Sequence, residues 1–223
     1  MPSPVIESIY RGAPRILRDE RGEWISSIGR DRAEGPLEVH SEGFAGDRVA
    51  QPYHGGPDAA LCVHLRDHYD FWRMRFALDL PSGGLGENLV LDGIAEDEIF
   101  AGDIIQAGTA LVQVSGPRVP CANQARHVGR SDWVKLTIQE NRTGFYLRVL
   151  QPGVIRPGDP WRLEQRLNAV GSITAINRCF YQDFDREFAM SVLSLNGLAD
   201  WWKEQFMDKL QAGPKHEPNT STE

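Results

Sequence analysis

Short apolar runs separated by glycine and proline dominate the first 165 residues of the 223-residue chain. The runs are rich in β-branched and aromatic residues and occupy positions 5–10, 24–28, 37–39, 88–91, 103–107, 110–114, 145–150 and 161–164. Runs this short, at this spacing, predict the strands of a β-barrel or a β-sandwich. Gly108 and Thr109 lie between two runs and predict a hairpin turn. We therefore expect a mainly β domain over residues 1–165, with a few helices.

Two stretches with helical periodicity interrupt the predicted strands. Residues 64–76 carry apolar side chains at helical spacing, namely Leu65, Tyr69, Trp72 and Phe76. Residues 131–140 predict a second helix, for which Ser131 is the expected N-cap.

Residues 166–211 change to a helical pattern and predict a small module of three short helices. Ser172 is the expected N-cap of a helix that ends at residue 181, and Asp185 that of a helix that ends at residue 195. The third helix has an apolar stripe at i, i+4 spacing: Leu198, Trp202, Phe206 and Leu210. The stripe fits either the core of the module or an exposed face that binds a partner. Residues 212–223 are polar and proline-containing, which predicts a disordered tail.

Composition limits the functional classes. The hydrophobic fraction of 41% and the charged fraction of 25% are those of an ordinary globular protein. The net charge of −7 argues against nucleic-acid binding. No apolar run approaches the ~20 residues that a membrane span needs, and the first residues do not have the pattern of a secretory signal. The odd number of cysteines (Cys62, Cys121 and Cys179) fits free thiols in a reducing compartment, so we expect a cytoplasmic protein.

Cys121 is the leading candidate for chemistry. It ends the segment Gly116-Pro117-Arg118-Val119-Pro120-Cys121, which follows the strand predicted over residues 110–114. The prolines stiffen this turn, and the neighbouring guanidinium of Arg118 favours the thiolate over the thiol. Because a thiolate is both a nucleophile and a soft metal ligand, covalent catalysis and metal ligation are both open. A buried structural cysteine is the third interpretation.

Two glycine-dense loops are candidates for ligand binding. The first runs from Gly46-Asp47-Arg48 to His54-Gly55-Gly56-Pro57-Asp58, and the second is Gly84-Leu85-Gly86-Glu87-Asn88-Leu89. Glycine lets the backbone approach a ligand and point N–H groups at an anion. Alternatively, His54 and Asp58 bind their own loop backbone. Glu87 is a candidate acid or base, or an acceptor for loop N–H groups.

Histidine and arginine clusters offer two further sites. His64 and His68 lie four residues apart on a predicted helix and, with Cys62, suggest a zinc site; otherwise they are two histidines on a half-exposed helix. Four arginines flank Cys121 or follow it closely in sequence: Arg118, Arg126, Arg142 and Arg148. Together they either hold a phosphate beside the thiolate or form a solvated surface.

The order of these motifs along the chain resembles that of the MOSC domain family. The series consists of Gly46-Asp47, His54-Gly55-Gly56-Pro57-Asp58, Gly86-Glu87-Asn88-Leu89, Ala101-Gly102-Asp103 and Pro117-Arg118-Val119-Pro120-Cys121. MOSC domains are β-barrel domains that bind the molybdenum cofactor. The YiiM-like branch of the family carries a C-terminal three-helix module, which residues 172–210 match in length and position.

The resemblance implies a MOSC-type β-barrel whose activity is similar to that of the mitochondrial amidoxime reducing component. It implies a molybdopterin cofactor with Cys121 as the protein ligand to molybdenum, and electrons from a separate reductase. The implied substrates are N-hydroxylated bases such as 6-N-hydroxylaminopurine, which are reduced to amines. The cofactor-binding residues that it implies are Arg118, Asp47, His54, Gly55, Gly56, Asp58, Glu87, Asn88, Asn123, Arg126 and Arg142.

Ala59 and Asn123 depart from the family pattern, because relatives often carry basic residues at these two positions. We therefore expect Arg118 and at least one of Arg126, Arg142 and Arg148 to face the Cys121 cleft.

Three functional classes stay open: an N-hydroxyl reductase, a carrier that binds the cofactor without turnover, and a cysteine-nucleophile enzyme with His54 or His127 as the base. The natural substrate, the electron donor and the oligomeric state, a homodimer included, also stay open.

Overall fold

A curled eight-stranded sheet forms the body of the molecule in the computed structural model, which describes residues 3–51 and 54–212. The strands in these residues are β1 (Val5–Arg11), β2 (Arg15–Asp19), β3 (Gly22–Ser26), β4 (Asp31–Ala33), β5 (Leu37–His40), β6 (Gly43–Phe44), β7 (Leu61–Leu65), β8 (Leu89–Asp92), β9 (Ile104–Ala107), β10 (Ala110–Pro117), β11 (Phe145–Gln151), β12 (Gly153–Ile155) and β13 (Trp161–Gln165). The main sheet has the order β13-β9-β10-β11-β7-β8-β1-β4, and only its β7–β8 pair is parallel. Strands β12-β5-β6 form a second sheet, and β2 and β3 form a hairpin.

Backbone hydrogen bonds join the beginning of β13 to β1. The N–H of Trp161 donates to the carbonyl of Pro4 at 2.9 Å, and the N–H of Ile6 donates to the carbonyl of Asp159 at 2.9 Å. The sheet therefore curls around its apolar side chains, among them Ile6, Leu61, Leu89, Val112, Phe145 and Leu147, which are all buried. The predicted mainly β, barrel-type fold is confirmed.

Strand β7 corrects one sequence-based prediction. The helix expected to begin at residue 64 instead begins two residues later, as α1 (Arg66–Phe76). All five residues of β7 are buried between β11 and β8, and a continuous apolar run of this kind does not distinguish a strand from a helix. His64 consequently lies on a strand and His68 on a helix, not on one helix face.

Two short helices follow the segment that carries Cys121. The first, α2 (Ala122–Val128), was not predicted from the sequence. The second, α3 (Trp133–Gln139), agrees with the helix expected over residues 131–140, but its N-cap residue is Asp132, not Ser131. The rings of Trp72 on α1 and Trp133 on α3 pack with their centroids 4.8 Å apart, which holds these helices against each other.

The last three helices agree closely with the expected caps. In α4 (Ile173–Tyr181) the Ser172 hydroxyl accepts the N–H of Ala175, and in α5 (Arg186–Val192) the Asp185 carboxylate accepts the N–H of Phe188. Helix α5 ends three residues before the predicted residue 195, and α6 covers Asp200–Ala212. Three members of the apolar stripe (Leu198, Trp202 and Phe206) are buried among α4–α6, and Leu210 packs against them, so the stripe forms a core.

These helices are bonded to the barrel at the end of β10. The N–H of Ala199 donates to the carbonyl of Ser115 at 2.8 Å, and the indole Nε1–H of Trp202 donates to the carbonyl of Pro117 at 3.0 Å. The predicted tail over residues 212–223 lies almost entirely outside the described residues. Within residues 3–51 and 54–212, no helix has the length and apolar character that crossing a bilayer requires.

Candidate functional site

A rigid turn presents Cys121 at the end of β10. Gly116 has a φ of 145°, and a Cβ at this position would lie 2.7 Å from Cδ1 of Trp202, so glycine is required. The N–H of Arg118 then donates to the carbonyl of Gly144 at 2.9 Å. Cys121 itself is the N-cap of α2, and its N–H donates to Oε1 of Gln124 at 3.4 Å. The strand end and the helix start therefore fix the thiol from both sides.

Cys121 lines a cavity with a volume of about 990 Å³. This volume lies at the upper end of the range that ligand and cofactor sites occupy. Nine of the sequence-predicted site residues lie on its wall: Asp47, His54, Gly55, Gly56, Asp58, Asn88, Arg118, Cys121 and Asn123. Tertiary structure therefore brings together the two glycine-dense loops and the thiol segment, which are far apart in sequence.

The surroundings of Cys121 favour its thiolate. Burial raises the pKa of the thiol, but a hydrogen bond with His54, the nearby guanidinium of Arg118 and the N–H of Gln124 together lower it from 9.0 to about 7. Cys62 lines the same cavity, yet burial raises the pKa of its thiol to about 11. Only one of these two thiols is thus appreciably ionised near neutral pH.

His54 and His127, the two candidate bases, differ in position. His54 lines the cavity and bonds to Cys121, whereas His127 is not among the lining residues. His127 packs against Gly29, where a Cβ would lie 2.9 Å from the imidazole Cε1. The structure therefore brings His54, and not His127, to the thiol.

A chain of buried polar side chains extends from Arg118 into the protein. Nη1 of Arg118 lies 2.9 Å from Nε2 of His64, and Nδ1 of His64 lies 3.3 Å from Nδ1 of His68. Nε2 of His68 lies 3.3 Å from Oε2 of Glu96. Burial, Arg118 and His68 hold the pKa of His64 well below its usual value, so His64 is neutral and its Nε2 accepts from Arg118. The two histidines thus orient the guanidinium.

The zinc interpretation is not supported by this arrangement. Across the part of the chain that the structure describes, no group of three or more His, Cys, Asp or Glu side chains could hold a metal ion. A metal in this cavity would therefore need a donor set beyond the protein's own side chains, in addition to Cys121.

Two buried polar atoms of cavity-lining residues lack partners within the described residues. They are Nε of Arg118 and Oγ of Ser27. Such atoms are costly to bury unless a ligand or water satisfies them. Arg48 also lines the cavity, is exposed, and forms no ion pair with a described residue. These three residues offer hydrogen-bond donors to a polar or anionic ligand.

The carboxylates of Asp47 and Asp58 form hydrogen bonds and ion pairs with other residues of the protein. The Asp47 carboxylate accepts the N–H of Gly12 at 2.6 Å and Nδ2 of Asn88 at 2.8 Å, and it pairs with Arg30. Asp58 pairs with Arg148 at 2.7 Å. Both carboxylates therefore neutralise arginines and hold the cavity loops in place.

Gly55 and Gly56 have positive φ values of 82° and 92° in the first loop. These conformations favour glycine and let the backbone line the cavity without side chains.

Glu87 does not line the cavity, although the sequence analysis included it in the cofactor-binding set. Its fully buried carboxylate accepts the N–H of Leu85 at 3.1 Å, the N–H of Gly83 and the hydroxyl of Tyr69. The alternative interpretation, in which Glu87 binds loop N–H groups, agrees with this geometry.

Arg126 and Arg142 are also placed away from the cleft, which corrects the sequence-based expectation for both. Arg126 pairs with Asp19 at 2.7 Å, and Arg142 pairs with Asp67 at 2.9 Å. Each guanidinium also lies over an aromatic ring, Trp24 at 3.9 Å for Arg126 and Phe71 at 4.2 Å for Arg142. Arg148 likewise forms an ion pair, with Asp58, and does not line the cavity.

The cavity includes residues that the sequence analysis did not place in the cofactor-binding set. Among them are Ser27, Arg30, Arg48, Tyr146, Ala199, Trp201 and Trp202. Arg48 was signalled by the Gly46-Asp47-Arg48 motif and Trp202 by the apolar stripe, but no local pattern marks the others as cavity residues. The last three belong to the C-terminal helical region, which thus supplies part of the cavity wall.

The family assignment follows from comparison with known proteins. The sequence of the MOSC domain family matches residues 50–162, the segment that contains both His54 and Cys121. The chain belongs to the MOSC domain family. MOSC domains are associated with the molybdenum cofactor, so membership supports a function associated with that cofactor.

Relatives extend the similarity beyond the MOSC match. The crystal structure of YiiM from Geobacillus stearothermophilus is 34% identical, with a TM-score of 0.79 over 93% of this chain and 99% of that one. YflK from Bacillus subtilis (strain 168) is 34% identical over 91% of this chain and 92% of its own length. These matches confirm the resemblance of this MOSC protein to the YiiM-like branch.

One more distant relative carries a functional name. A protein of Gibberella moniliformis named "Reductase" is 32% identical over 161 residues, which are 70% of this chain but only 29% of the relative. This name, together with the MOSC domain, is suggestive of oxidoreductase activity.

Proposed function

We propose that the protein is a molybdenum-cofactor-dependent oxidoreductase that reduces N-hydroxylated bases, of the 6-N-hydroxylaminopurine type, to amines. The observation that carries the proposal is the Cys121 thiol, whose pKa is lowered to about 7 on the wall of a 990 Å³ cavity. A soft thiolate is the ligand type that a thiophilic metal prefers. Electrons would come from a separate reductase.

The residues of the cavity fit a cofactor that carries both a metal and an anionic group. Cys121 would ligate the metal. The unpartnered Nε of Arg118 and the unpartnered hydroxyl of Ser27 would bind polar groups of the cofactor. Arg48 would bind its phosphate, because Arg126 and Arg142, the other cations that the sequence offered, are half-buried and neutralised by aspartates.

Arg48 would also replace the positive charge that relatives often carry at the positions of Ala59 and Asn123. Arg30 lines the cavity too, but its charge is offset by Asp47. Arg48 is therefore the cation best placed to replace the missing ones.

The cofactor, when bound, would supply two-electron transfer at its metal. Reduction of an N-hydroxyl group to an amine consumes two electrons and two protons and releases one water molecule. The chain would hold Cys121 as a thiolate, keep Arg118 beside it through His64, and exclude water with the helical wall at Trp202.

A cysteine-nucleophile enzyme is the second candidate, favoured by the hydrogen bond between Cys121 and His54. A nucleophilic thiol beside a histidine is the usual arrangement of such enzymes. The same thiolate cannot attack a substrate and ligate a metal at once, so metal content separates the two functions.

The test is the molybdenum content of protein produced in a host that makes the cofactor. Wild-type protein should retain molybdenum, and Cys121→Ser should lose it while remaining folded. Cys179→Ser is the matched control, because Cys179 is buried among the C-terminal helices and should not affect metal content. Full molybdenum occupancy in Cys121→Ser would exclude the assignment of the ligand.

Turnover then separates a reductase from a carrier. The loaded protein is mixed with 6-N-hydroxylaminopurine and an artificial electron donor, and the amine is quantified. Molybdenum without turnover would favour the carrier, and wild-type protein without molybdenum would favour the cysteine-nucleophile enzyme.

A further inference from the structure

Trp201 is an exposed tryptophan on the wall of the Cys121 cavity. It lies near the start of α6, and 46% of its surface is accessible. The adjacent Trp202 lines the same cavity but is only 2% exposed. An indole offers a large planar apolar surface, and on the wall of this cavity that surface is open to a ligand.

The side chain of Trp202, which packs against Trp201, is held rigidly. Trp202 donates its Nε1–H to the carbonyl of Pro117 at 3.0 Å, and its ring packs edge to face against Phe180 at 5.2 Å. The rings of Trp201 and Trp202 lie 5.0 Å apart at 74°. Pro117 belongs to the turn that presents Cys121. The exposed indole is therefore linked through one buried side chain to the segment that holds the thiol.

We propose that Trp201 is a specificity-determining residue that stacks on a planar aromatic ring of the substrate. The proposal rests on the proposed reductase function and names the residue that would select substrates whose N–OH group is attached to such a ring. Stacking between an aromatic side chain and a base tolerates different ring substituents, because every base has a π-face. The net charge of −7 favours a free base over a nucleic-acid strand.

The first test compares two substrates that differ in the ring. The cofactor-loaded wild type, Trp201→Ala and Trp201→Phe are assayed with 6-N-hydroxylaminopurine and with acetamidoxime, which has no ring. Trp201→Ala should raise KM for the purine about tenfold or more, with a smaller effect on kcat and little change for acetamidoxime. Trp201→Phe should recover most of the loss.

Met207→Ala is the matched control. Met207 lies on the same helix, is 41% exposed and is not among the residues that line the cavity. Its substitution should leave both KM values unchanged. Equal losses for both substrates in Trp201→Ala, or no loss for either, would overturn the proposal.

The second test does not depend on turnover. Adenine, the amine product of the purine substrate, is titrated into cofactor-free wild type and Trp201→Ala by calorimetry. The dissociation constant should rise about tenfold in the variant, and equal affinities would contradict stacking. Absence of turnover in the wild type with intact, Trp201-dependent adenine binding would overturn the reductase function but not the stacking role.

Discussion

Replacing His54 by alanine should raise the pKa of the Cys121 thiol. Burial alone would raise this pKa above 9.0, and the hydrogen bond with His54 is the largest of the contributions that bring it down to about 7. Arg118 and the N–H of Gln124 remain in the variant and retain part of the effect. The folded state should therefore hold the thiolate less strongly, and the thiol should titrate at higher pH.

The size of the effect follows from the ionised fraction. With a pKa of about 7, about half of Cys121 is thiolate at pH 7. A rise of about one unit lowers this fraction roughly fivefold, and a return to the ordinary value of 9.0 lowers it roughly fiftyfold. Because the thiolate is the reactive form, the rate of alkylation at pH 7 should be lower in His54→Ala than in the wild type, by a factor of roughly five to fifty.

The assay is alkylation of cofactor-free protein by iodoacetamide over a range of pH, with the modified peptide quantified by mass spectrometry. In the wild type, the rate at Cys121 should increase with pH through a midpoint of about 7. Cys62 should react little below pH 9, because burial raises the pKa of its thiol to about 11. The midpoint is the primary measurement, since intrinsic nucleophilicity also changes with pKa.

His127→Ala is the control for this experiment. His127 is also a half-buried histidine, but it packs against Gly29 and does not line the cavity. Its removal should leave the midpoint unchanged. A wild-type midpoint near 9, or the same midpoint in wild type and His54→Ala, would refute the electrostatic account of the site.

Three further outcomes are expected. Tyr69→Phe removes the hydroxyl that donates to the buried Glu87, and should lower the free energy of unfolding by about 1–3 kcal/mol in urea titrations, without loss of molybdenum. Gly116→Ala places a methyl group 2.7 Å from Cδ1 of Trp202 and should lower the thermal midpoint and change the tryptophan fluorescence. Arg48→Ala should weaken cofactor retention about tenfold or more, seen as loss of molybdenum during dialysis, and retention equal to wild type would exclude Arg48 as the phosphate ligand.

Local patterns in the sequence were sufficient for most of the elements. Short apolar runs predicted eight of the thirteen strands in the described residues. The N-caps Ser172 and Asp185 were correctly identified because a cap is a contact within one turn of helix. The motif order also predicted the family, which comparison confirms. The pairing of Cys121 with a nearby arginine was visible for the same reason, since only two residues separate it from Arg118 in the chain.

Tertiary structure alone decided which charged and aromatic residues face the cavity. Arg126 is neutralised by a carboxylate 107 residues away in sequence, and Arg142 by one 75 residues away, so neither was recognisable as occupied. Arg48 and Trp201 line the same cavity as Cys121, although they lie 73 residues before it and 80 residues after it in sequence. Long-range packing sets the neighbours of each side chain, and those neighbours determine whether its charge or its ring remains available for a ligand.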